Sequence, residues 1–345
     1  MILKNHVTRR IDSCIAASDP ERRDSAPEEN RAYVSLIYGR DPPVSLIANA
    51  MAMANSIRDS KYQRVLLCTP DVPAEYLCLL EDSGLFTSIR EVDYILADRS
   101  LFKKDWFREV FTKLHVFNLT DFSKVLFLDL DTLVVDMSRM DQLFDLECQY
   151  AAMENSKRPK SGSMWLRHGA PMKNHCQLIN AGVMLITPNK QLFHSLLEDV
   201  TNPSPDHVPG MTPEQFYLAR VMGHHFTHIS QHYNFEVQFH GGVPVTDTWR
   251  KTSSISEIVC LHFSGASPLT VVSRQTFPPA ECGAQIEKYF VRKSWESDFE
   301  EETRQRANIR ATQAFDLWRS NLVEAVKRIE TPSSYPLLEQ FLVCI

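Results

Sequence analysis

Short apolar runs alternate with longer segments of helical spacing in the first third of the chain. Residues 32–38 and 64–69 are rich in Val, Leu and Ile, and their length is typical of buried strands. Between them, apolar side chains from Leu46 to Ile57 recur every three or four positions, as they do on one face of a helix. This alternation predicts right-handed strand–helix–strand units. The expected fold class is therefore α/β, a single domain with helices flanking a mostly parallel central sheet.

The densest apolar stretch, residues 124–135, is interrupted by two carboxylates, Asp129 and Asp131. We interpret this stretch as one central strand, on which positions two apart project to the same side of the sheet. Two charges within an apolar strand are costly unless something compensates them, and a divalent cation does so. Hard oxygen ligands favour Mg²⁺ or Mn²⁺ over Zn²⁺. The alternative is a strand end that carries two solvated carboxylates.

The two ends of the chain differ from its middle. Residues 1–30 are polar and lack periodicity, which predicts a flexible leader. We expect the α/β domain to occupy residues 31–275, and a helical extension that packs on it to occupy residues 276–345. Apolar residues in the extension form a single stripe with spacings of three and four, which comprises Phe315, Trp318, Leu322, Val326 and Ile329.

Composition and charge narrow the classes of function. The chain has 37 basic and 43 acidic residues and a net charge of −6, so no basic field predicts a nucleic-acid partner or an anionic membrane. It has 11 glycines and neither a GxGxxG nor a GxxxxGK[ST] pattern, which argues against Rossmann dinucleotide enzymes and P-loop kinases. No apolar run reaches the roughly 18 residues of a membrane span, and no secretory leader is recognisable. We therefore expect a cytoplasmic or nuclear protein.

Two sets of histidines allow both a metal-binding and a structural interpretation. His262 follows an apolar strand and can be a third metal ligand, although a lone histidine is more often structural. The cluster of His224, His225, His228 and His232 has the spacing of a metal site, but nothing else in the sequence supports zinc there. We interpret this cluster as a surface connection between a helix and a strand.

An ordered series of motifs resembles a known family. The segments FTKLHVFNLTDFSKVLFLDLDTLVV, INAGVMLITPN and LHFSGASP follow one another between Tyr33 and Pro268, and they look like the glycogenin-like branch of glycosyltransferase family 8. The resemblance implies a GT-A fold, a UDP-sugar as donor, and Mn²⁺ or Mg²⁺ as the metal. It also implies transfer with retention of anomeric configuration, and a homodimer.

Position by position, the resemblance implies a metal site and a nucleotide site. Its metal ligands are Asp129, Asp131 and His262, and the diphosphate would lie along the same D-x-D segment, which includes Leu130. Uracil and ribose would contact the end of the first strand, at Leu36, Ile37 and Tyr38. The amide of Gly265 would meet the diphosphate.

A second set of residues would bind and orient the donor sugar. The resemblance implies that Lys113 contacts the donor phosphate and sugar, and that the sugar site is lined by Glu154, Asn180, Ala181, Glu214 and Gln215. The residues that we expect to take part in catalysis are Lys113, Asn180, Glu214 and Gln215. Without the resemblance, Lys113 is equally typical of a snorkelling lysine, and the polar residues at element ends are typical of caps.

Two departures from the family pattern shape the functional hypothesis. Residues 262–269 read HFSGASPL and lack the lysine of the family's K-P-W segment, and residues 235–248 lack the tyrosine that glycogenin glucosylates on itself. We expect a Mn²⁺-dependent retaining transferase that moves a hexose from UDP-glucose or UDP-galactose to a separate acceptor, such as a protein-linked glycan or a polyol. The alternative is a UDP-sugar-binding regulatory protein with little or no turnover.

Overall fold

The structure is a computed structural model of the chain. It describes residues 6–16, 30–40, 42–98, 106–154, 168–172, 178–202, 212–237, 255–264, 301–330, 334–336 and 338. The strands, in chain order, are β1 (Arg31–Ile37), β2 (Gln63–Cys68), β3 (Ser88–Glu91), β4 (Lys124–Leu128), β5 (Thr132–Val134), β6 (Tyr150–Glu154), β7 (Ile179–Ile186), β8 (Phe226–His228), β9 (Phe235–Glu236) and β10 (Cys260–His262).

Helices separate most of these strands. They are α1 (His6–Ala16), α2 (Val44–Ser56), α3 (Ala74–Asp82), α4 (Trp106–Glu109), α5 (Met137–Asp141), α6 (Lys190–Thr201), α7 (Pro213–Met222) and α8 (Glu301–Val326). A 3-10 helix, Val110–Asn118, continues α4, and a second, Gly223–His225, continues α7. Within the described part of the chain, no helix is both long and apolar enough to cross a membrane. The cytoplasmic or nuclear location stays a prediction.

The central sheet has seven strands in the order β3-β2-β1-β4-β7-β6-β8. Strand β1 pairs in parallel with β2 and β4, β2 with β3, and β6 with β8. Strand β7 runs antiparallel to both of its neighbours, β4 and β6. The predicted α/β class with a mostly parallel central sheet is confirmed.

A second, three-stranded sheet with the order β5-β10-β9 begins where β4 ends. Strand β10 pairs antiparallel with β5 and parallel with β9, and the register sets His262 opposite Thr132. Because β5 follows β4 after only a short turn, this small sheet brings the end of β10 to the end of the central strand.

The prediction that residues 124–135 form one strand is wrong at its centre. Strand β4 ends at Leu128, and Asp129–Asp131 form a turn before β5. Thr132 closes this turn, because its amide N–H and its hydroxyl both donate to the Asp129 carbonyl oxygen, at 3.0 and 2.7 Å. The apolar pattern did not reveal the turn because the side chains on both sides of it are buried.

Apolar side chains pack on both faces of the central sheet. Helices α2, α3 and α8 cover one face, and α1, α6, α7 and the 3-10 helix after α4 cover the other. All five residues of the predicted stripe near α8 are buried, and Trp318 Nε1 donates to Asn49 Oδ1 of α2 at 3.1 Å. The predicted stripe is confirmed. The domain boundary after residue 275 lies outside the described residues and stays a prediction.

The prediction of a flexible leader over residues 1–30 is wrong for His6–Ala16, which form helix α1. Ile11 is fully buried and Ile15 retains 8% of its exposure, so this helix contributes to the core under α6 and α7. The two isoleucines are spaced by four residues and share one face of the helix. That short apolar face was hidden in the sequence by the polar residues around it.

Candidate active site

Three potential cation ligands converge where β4 and β10 end. Asp129 and Asp131 lie in the turn after β4, and His262 is the last residue of β10. One ligand atom from each residue lies within 4.8 Å of the others, and His262 Nε2 is 3.3 Å from Asp131 Oδ1. The carboxylate side chains retain 28% and 29% of their exposure, whereas the imidazole retains 6%. The cluster is therefore accessible on its carboxylate side.

Backbone hydrogen bonds fix the relative positions of these three residues. The Asp129 amide donates to the Gly182 carbonyl on β7 at 2.8 Å, and the Phe263 amide donates to the Asp131 carbonyl at 2.8 Å. The turn is thus tied to the central sheet on one side and to the small sheet on the other. Main-chain hydrogen bonds therefore bring the backbones of the three predicted metal ligands together, whatever rotamers their side chains adopt.

Two further residues hold the His262 ring in place. Its Nδ1–H donates to Asn234 Oδ1 at 2.8 Å, which directs Nε2 towards Asp131. In addition, a Cβ atom at Gly182 would lie 2.3 Å from His262 Cε1 and 2.7 Å from Nδ1, so only glycine leaves room for the ring. The imidazole occupies a slot shaped by both residues.

The protonation of His262 is controlled by Asp131. Burial acts to lower the pKa of His262, but the adjacent Asp131 carboxylate outweighs burial and raises that pKa to about 9. Burial likewise acts to raise the pKa of Asp131, and His262 holds it below its ordinary value. The two groups form an ion pair. A dication bound by both would replace the His262 proton, because Nε2 is a metal ligand only when it is neutral.

Asp129, Asp131 and His262 together are called the cation cluster below. Lys113 connects this cluster to helix α7. Its amine lies 2.8 Å from Asp129 Oδ1, 3.8 Å from Glu214 Oε1 and 3.4 Å from the Ala181 carbonyl oxygen, to which it donates. Burial acts to lower the pKa of Lys113, but Asp129 and Glu214 raise it above its ordinary value. Burial raises the pKa of Glu214 and Lys113 opposes that shift. Lys113 is therefore a charged group inside the site and not a lysine that snorkels to solvent.

Asn180, Ala181 and Gln215 form the polar wall beside Lys113. Asn180 Oδ1 accepts the Gly182 amide at 2.9 Å, while its Nδ2 donates to Glu236 Oε1 at 3.0 Å. Gln215 Oε1 accepts the Ala181 amide at 3.4 Å. Residues from β7, β9 and the first turn of α7 are thereby held to one another. These amide side chains are oriented before any ligand arrives.

The end of β1 approaches the same cluster through Tyr38. Burial, and after it the charges of Glu214 and Asp129, raise the pKa of Tyr38. Its ring meets that of Tyr94 edge to face, with centroids 6.5 Å apart. The side chains of Leu36 and Ile37 are instead buried in the two halves of the core, so their predicted contact with uracil and ribose would be made through the backbone. Leu130, at 4% exposure, is also buried in the core.

Two predicted residues remain, Glu154 and Gly265. Glu154 ends β6 opposite Ile179 of β7, one position from Asn180, and its amide donates to His228 Nδ1 at 3.1 Å. Gly265 lies outside the described residues, and its predicted role stays a prediction.

Sequence reasoning missed three residues that build this site: Gly182, Asn234 and Glu236. Gly182 directly follows Asn180 and Ala181, so the Asn-Ala-Gly triplet offered a signal. Asn234 directly follows Tyr233, and nothing in the sequence around it indicates that it supports His262. Glu236 carries no sequence signal, because its part in the site depends on the pairing of β9 with β10.

The donor set fits a divalent cation that prefers oxygen. Two carboxylates and one imidazole are ligands that Mn²⁺ accepts, and the carboxylates make Mg²⁺ the alternative. The separation of the ligand atoms, at most 4.8 Å, requires only side-chain adjustments to close around one ion. The buried second partner of His262, Asn234, is the type of support that metal-binding histidines have.

Comparison with known proteins places these features in context. The family described as Glycosyl transferase family 8 matches residues 30–267 of the chain. An uncharacterized protein of Acanthamoeba polyphaga mimivirus is 29% identical over 248 residues, which cover 68% of this chain and 80% of that protein. Galactinol synthase 4 of Arabidopsis thaliana is 26% identical over 206 residues, which cover 54% of this chain and 60% of that enzyme.

Another relative from Arabidopsis thaliana is inositol phosphorylceramide glucuronosyltransferase 1, which is 29% identical over 171 residues. These residues cover 49% of this chain and 26% of that enzyme. The chain therefore spans less than two thirds of the length of this enzyme and of the galactinol synthase.

Two solved structures of glycosyltransferases also resemble the chain. GlyE of Streptococcus pneumoniae is 18% identical with a TM-score of 0.47, over 87% of this chain and 64% of that one. The galactosyltransferase LgtC, in complex with donor and acceptor sugar analogs, is 16% identical with a TM-score of 0.45, over 80% of this chain and 99% of that one.

Proposed function

The chain belongs to glycosyltransferase family 8, and within that family we propose that it is a Mn²⁺-dependent, retaining hexosyltransferase. Membership confirms the transferase class that the sequence resemblance implied. The proposed donor is UDP-glucose or UDP-galactose, and the proposed acceptor is a separate molecule such as a protein-linked glycan or a small polyol. The observation that supports this proposal most directly is the convergence of Asp129, Asp131 and His262 beside the Lys113–Glu214 pair.

In this proposal, Asp129, Asp131 and His262 hold the cation. When bound, the cation supplies positive charge that stabilises the UDP leaving group. Lys113 has three oxygen neighbours, so it keeps Glu214 and the Ala181 carbonyl as partners when Asp129 turns to the metal. Its charge remains in the site and adds to the stabilisation of the diphosphate.

Glu214, Gln215 and Asn180 orient the donor sugar. Gln215 and Lys113 both contact Glu214, and these contacts limit the conformations of that buried carboxylate. Asn180 already uses its oxygen and one N–H on protein partners, which leaves its second N–H for a sugar hydroxyl. These groups contribute position and orientation, because holding reactants in a productive geometry lowers the barrier by several kcal/mol.

A donor screen with the full chain tests the proposal. Released UDP is measured with UDP-glucose, UDP-galactose and UDP-glucuronate, each with Mn²⁺ and with excess EDTA. The glucuronate arm is included because one relative is named as a glucuronosyltransferase. We expect hydrolysis of a hexose donor that EDTA removes and added Mn²⁺ restores. Turnover that resists EDTA contradicts the metal role, and turnover of the glucuronate alone contradicts the hexose donor.

The second candidate is a UDP-sugar-binding regulatory protein. The observation in its favour is the segment HFSGASPL, which lacks the lysine of the family's K-P-W motif. It predicts Mn²⁺-dependent binding of UDP without release of UDP from any donor in the screen, in the presence or absence of a polyol acceptor such as inositol. Calorimetric UDP binding, performed on the same preparation, separates this outcome from an inactive preparation.

A further inference from the structure

A second group of metal-type ligands lies outside the candidate active site. Asp12 of α1 meets His224 and His225 of the 3-10 helix Gly223–His225. Asp12 Oδ1 is 2.7 Å from His224 Nε2 and 2.8 Å from His225 Nε2. We propose that these three side chains form a Zn²⁺ site that fastens helix α1 to the end of α7.

The convergence of the two rings supports this proposal. Successive residues of a 3-10 helix point about 120° apart, since that helix has about three residues per turn. Here both Nε2 atoms nevertheless meet at one carboxylate oxygen, with ring centroids 4.1 Å apart and planes 41° apart. The three ligand atoms lie within 4.8 Å of one another. Tetrahedral zinc needs separations of about 3.3 Å, which follows from bonds of about 2.0–2.1 Å.

The types of ligand select zinc over the ion proposed for the active site. Two imidazoles and one carboxylate suit Zn²⁺, whereas two carboxylates and one imidazole suit Mn²⁺ or Mg²⁺. The side chains of Asp12, His224 and His225 retain 22–24% of their exposure, so an ion from solvent reaches them and water completes its coordination. In this proposal, the group of Asp12, His224 and His225 therefore prefers Zn²⁺, whereas the carboxylate-rich candidate active site prefers Mn²⁺ or Mg²⁺.

The position of the site indicates a role in holding the fold together. Among its other contacts, helix α1 buries Ile11 and Ile15, and its Arg10 pairs with Glu198 of α6 at 2.7 Å. A cation bound to residues 12, 224 and 225 joins segments that are more than 200 residues apart in sequence. Because α7 is ten residues long, about 15 Å separates this site from the first turn that carries Glu214. The ion would therefore act on stability and not on the donor sugar.

Calorimetric titration of the full chain with Zn²⁺, after chelator treatment and with excess Mg²⁺ present, tests the proposal. Excess Mg²⁺ competes at the carboxylate-rich cluster, whereas an imidazole pair binds it poorly. We expect His224→Ala and Asp12→Asn to bind one equivalent less than the wild type. His194→Ala is the matched control, because His194 is an exposed histidine on α6 and should leave the stoichiometry unchanged.

A second measurement separates this site from adventitious zinc on thiols, since Cys14 and other cysteines are free. Zn²⁺ should raise the melting temperature of the wild type and of His194→Ala, and should raise it much less in Asp12→Asn. Asp12→Asn keeps the shape of the side chain and guards against a variant that fails to fold, which circular dichroism checks. Equal zinc stoichiometry and equal thermal shifts in wild type and Asp12→Asn would overturn the proposal.

Discussion

His262 and His228 are buried to a similar degree, at 5% and 7% exposure, but their surroundings shift their pKa values in opposite directions. The His262 ring faces Asp131, and although burial acts to lower its pKa, that carboxylate raises it to about 9. His228 accepts the Glu154 amide N–H, and burial, together with the nearby His168, lowers its pKa to about 4. The difference lies in the partner and not in the burial.

This comparison distinguishes a candidate ligand histidine from a structural one. A buried imidazole that faces carboxylates sits in a negative site, and a cation can take the place of its proton. A buried imidazole that accepts a backbone N–H is satisfied as a neutral group and offers nothing to a cation. His224 and His225 also face a carboxylate, that of Asp12, although they are more exposed.

The largest effect on UDP binding is expected when the charge that faces His262 is removed. Asp131→Asn keeps the shape of the side chain but takes one unit of charge from the cation cluster. We expect Mn²⁺-dependent UDP affinity to fall by at least about 100-fold, which exceeds the loss typical of residues that only support a ligand. Isothermal titration of UDP with Mn²⁺ measures the change.

Asp59→Asn is the matched control for that variant. Asp59 is an exposed carboxylate with 82% side-chain exposure, paired only loosely with Arg58 at 3.4 Å. It should bind UDP like the wild type. Wild-type Mn²⁺-dependent affinity in Asp131→Asn would mean that the cation cluster is wrongly assigned.

Filling the slot beside His262 should have the next largest effect. In Gly182→Ala the new methyl group would lie 2.3 Å from His262 Cε1, so the ring must leave its present position. We expect a loss of stability of about 1–3 kcal/mol, as for other overpacked sites, and a loss of Mn²⁺-dependent UDP affinity of about 10–100-fold. Urea unfolding and UDP titration measure the two effects.

A double-mutant cycle sharpens this test. If the methyl group collides with the imidazole, Gly182→Ala should cost much less stability in a His262→Ala background, because the ring is no longer there. Additive losses in the double variant would show that the damage arises elsewhere, for example in the backbone of β7.

Loss of the hydrogen bond behind His262 should have a smaller effect. Asn234→Ala removes the acceptor of the Nδ1–H, so the ring loses its orientation while the carboxylates remain. We expect the Mn²⁺ dependence of UDP binding to shift to about tenfold higher metal. Asn234→Asp retains an acceptor and should recover most of the affinity, since the Asn234 Nδ2 atom has no hydrogen-bond partner among the described residues. A failure of Asn234→Asp to exceed Asn234→Ala would leave Asn234 with a packing role only.

The sequence singled out Asp129, Asp131 and His262, which the structure brings together, but it did not reveal the residues that surround them. Asp129, Asp131 and His262 followed from an unusual pair of carboxylates and from an ordered series of motifs. The slot formed by Gly182 and Asn234 did not, because it depends on tertiary contacts that bring β7 and the residue before β9 to the His262 ring at the end of β10. The turn at residues 129–131 was not predicted, because the residues before and after it are apolar and buried and the hydrophobic pattern therefore continues through it.

The same limit explains the missed contact between Asp12 and the histidine pair. His224 and His225 were visible as neighbours, but their third partner lies 212 residues away on a helix that looked like a polar leader. A short amphipathic helix with two buried isoleucines leaves too weak a periodic signal to be separated from a disordered segment.

The smallest effect on UDP binding is expected at His228, the buried histidine that was compared with His262. His228→Asn should leave UDP binding at neutral pH unchanged, since His228 faces neither Asp129 nor Asp131. Because the folded pKa of about 4 lies below the ordinary value of 6.5, the contribution of neutral His228 to stability is fully present above about pH 6.5 and is lost as the pH falls towards 4. The asparagine oxygen can still accept the Glu154 amide and cannot be protonated in this range. We therefore expect the free energy of unfolding to fall less steeply between pH 6.5 and 4 in His228→Asn than in the wild type. The difference between the two falls should reach at most about 3 kcal/mol.

Urea unfolding at a series of pH values measures this slope, with the exposed His194→Asn as control. Parallel curves for wild type and His228→Asn would mean that His228 is protonated as easily in the folded protein as in the unfolded chain, and that its contrast with His262 does not exist.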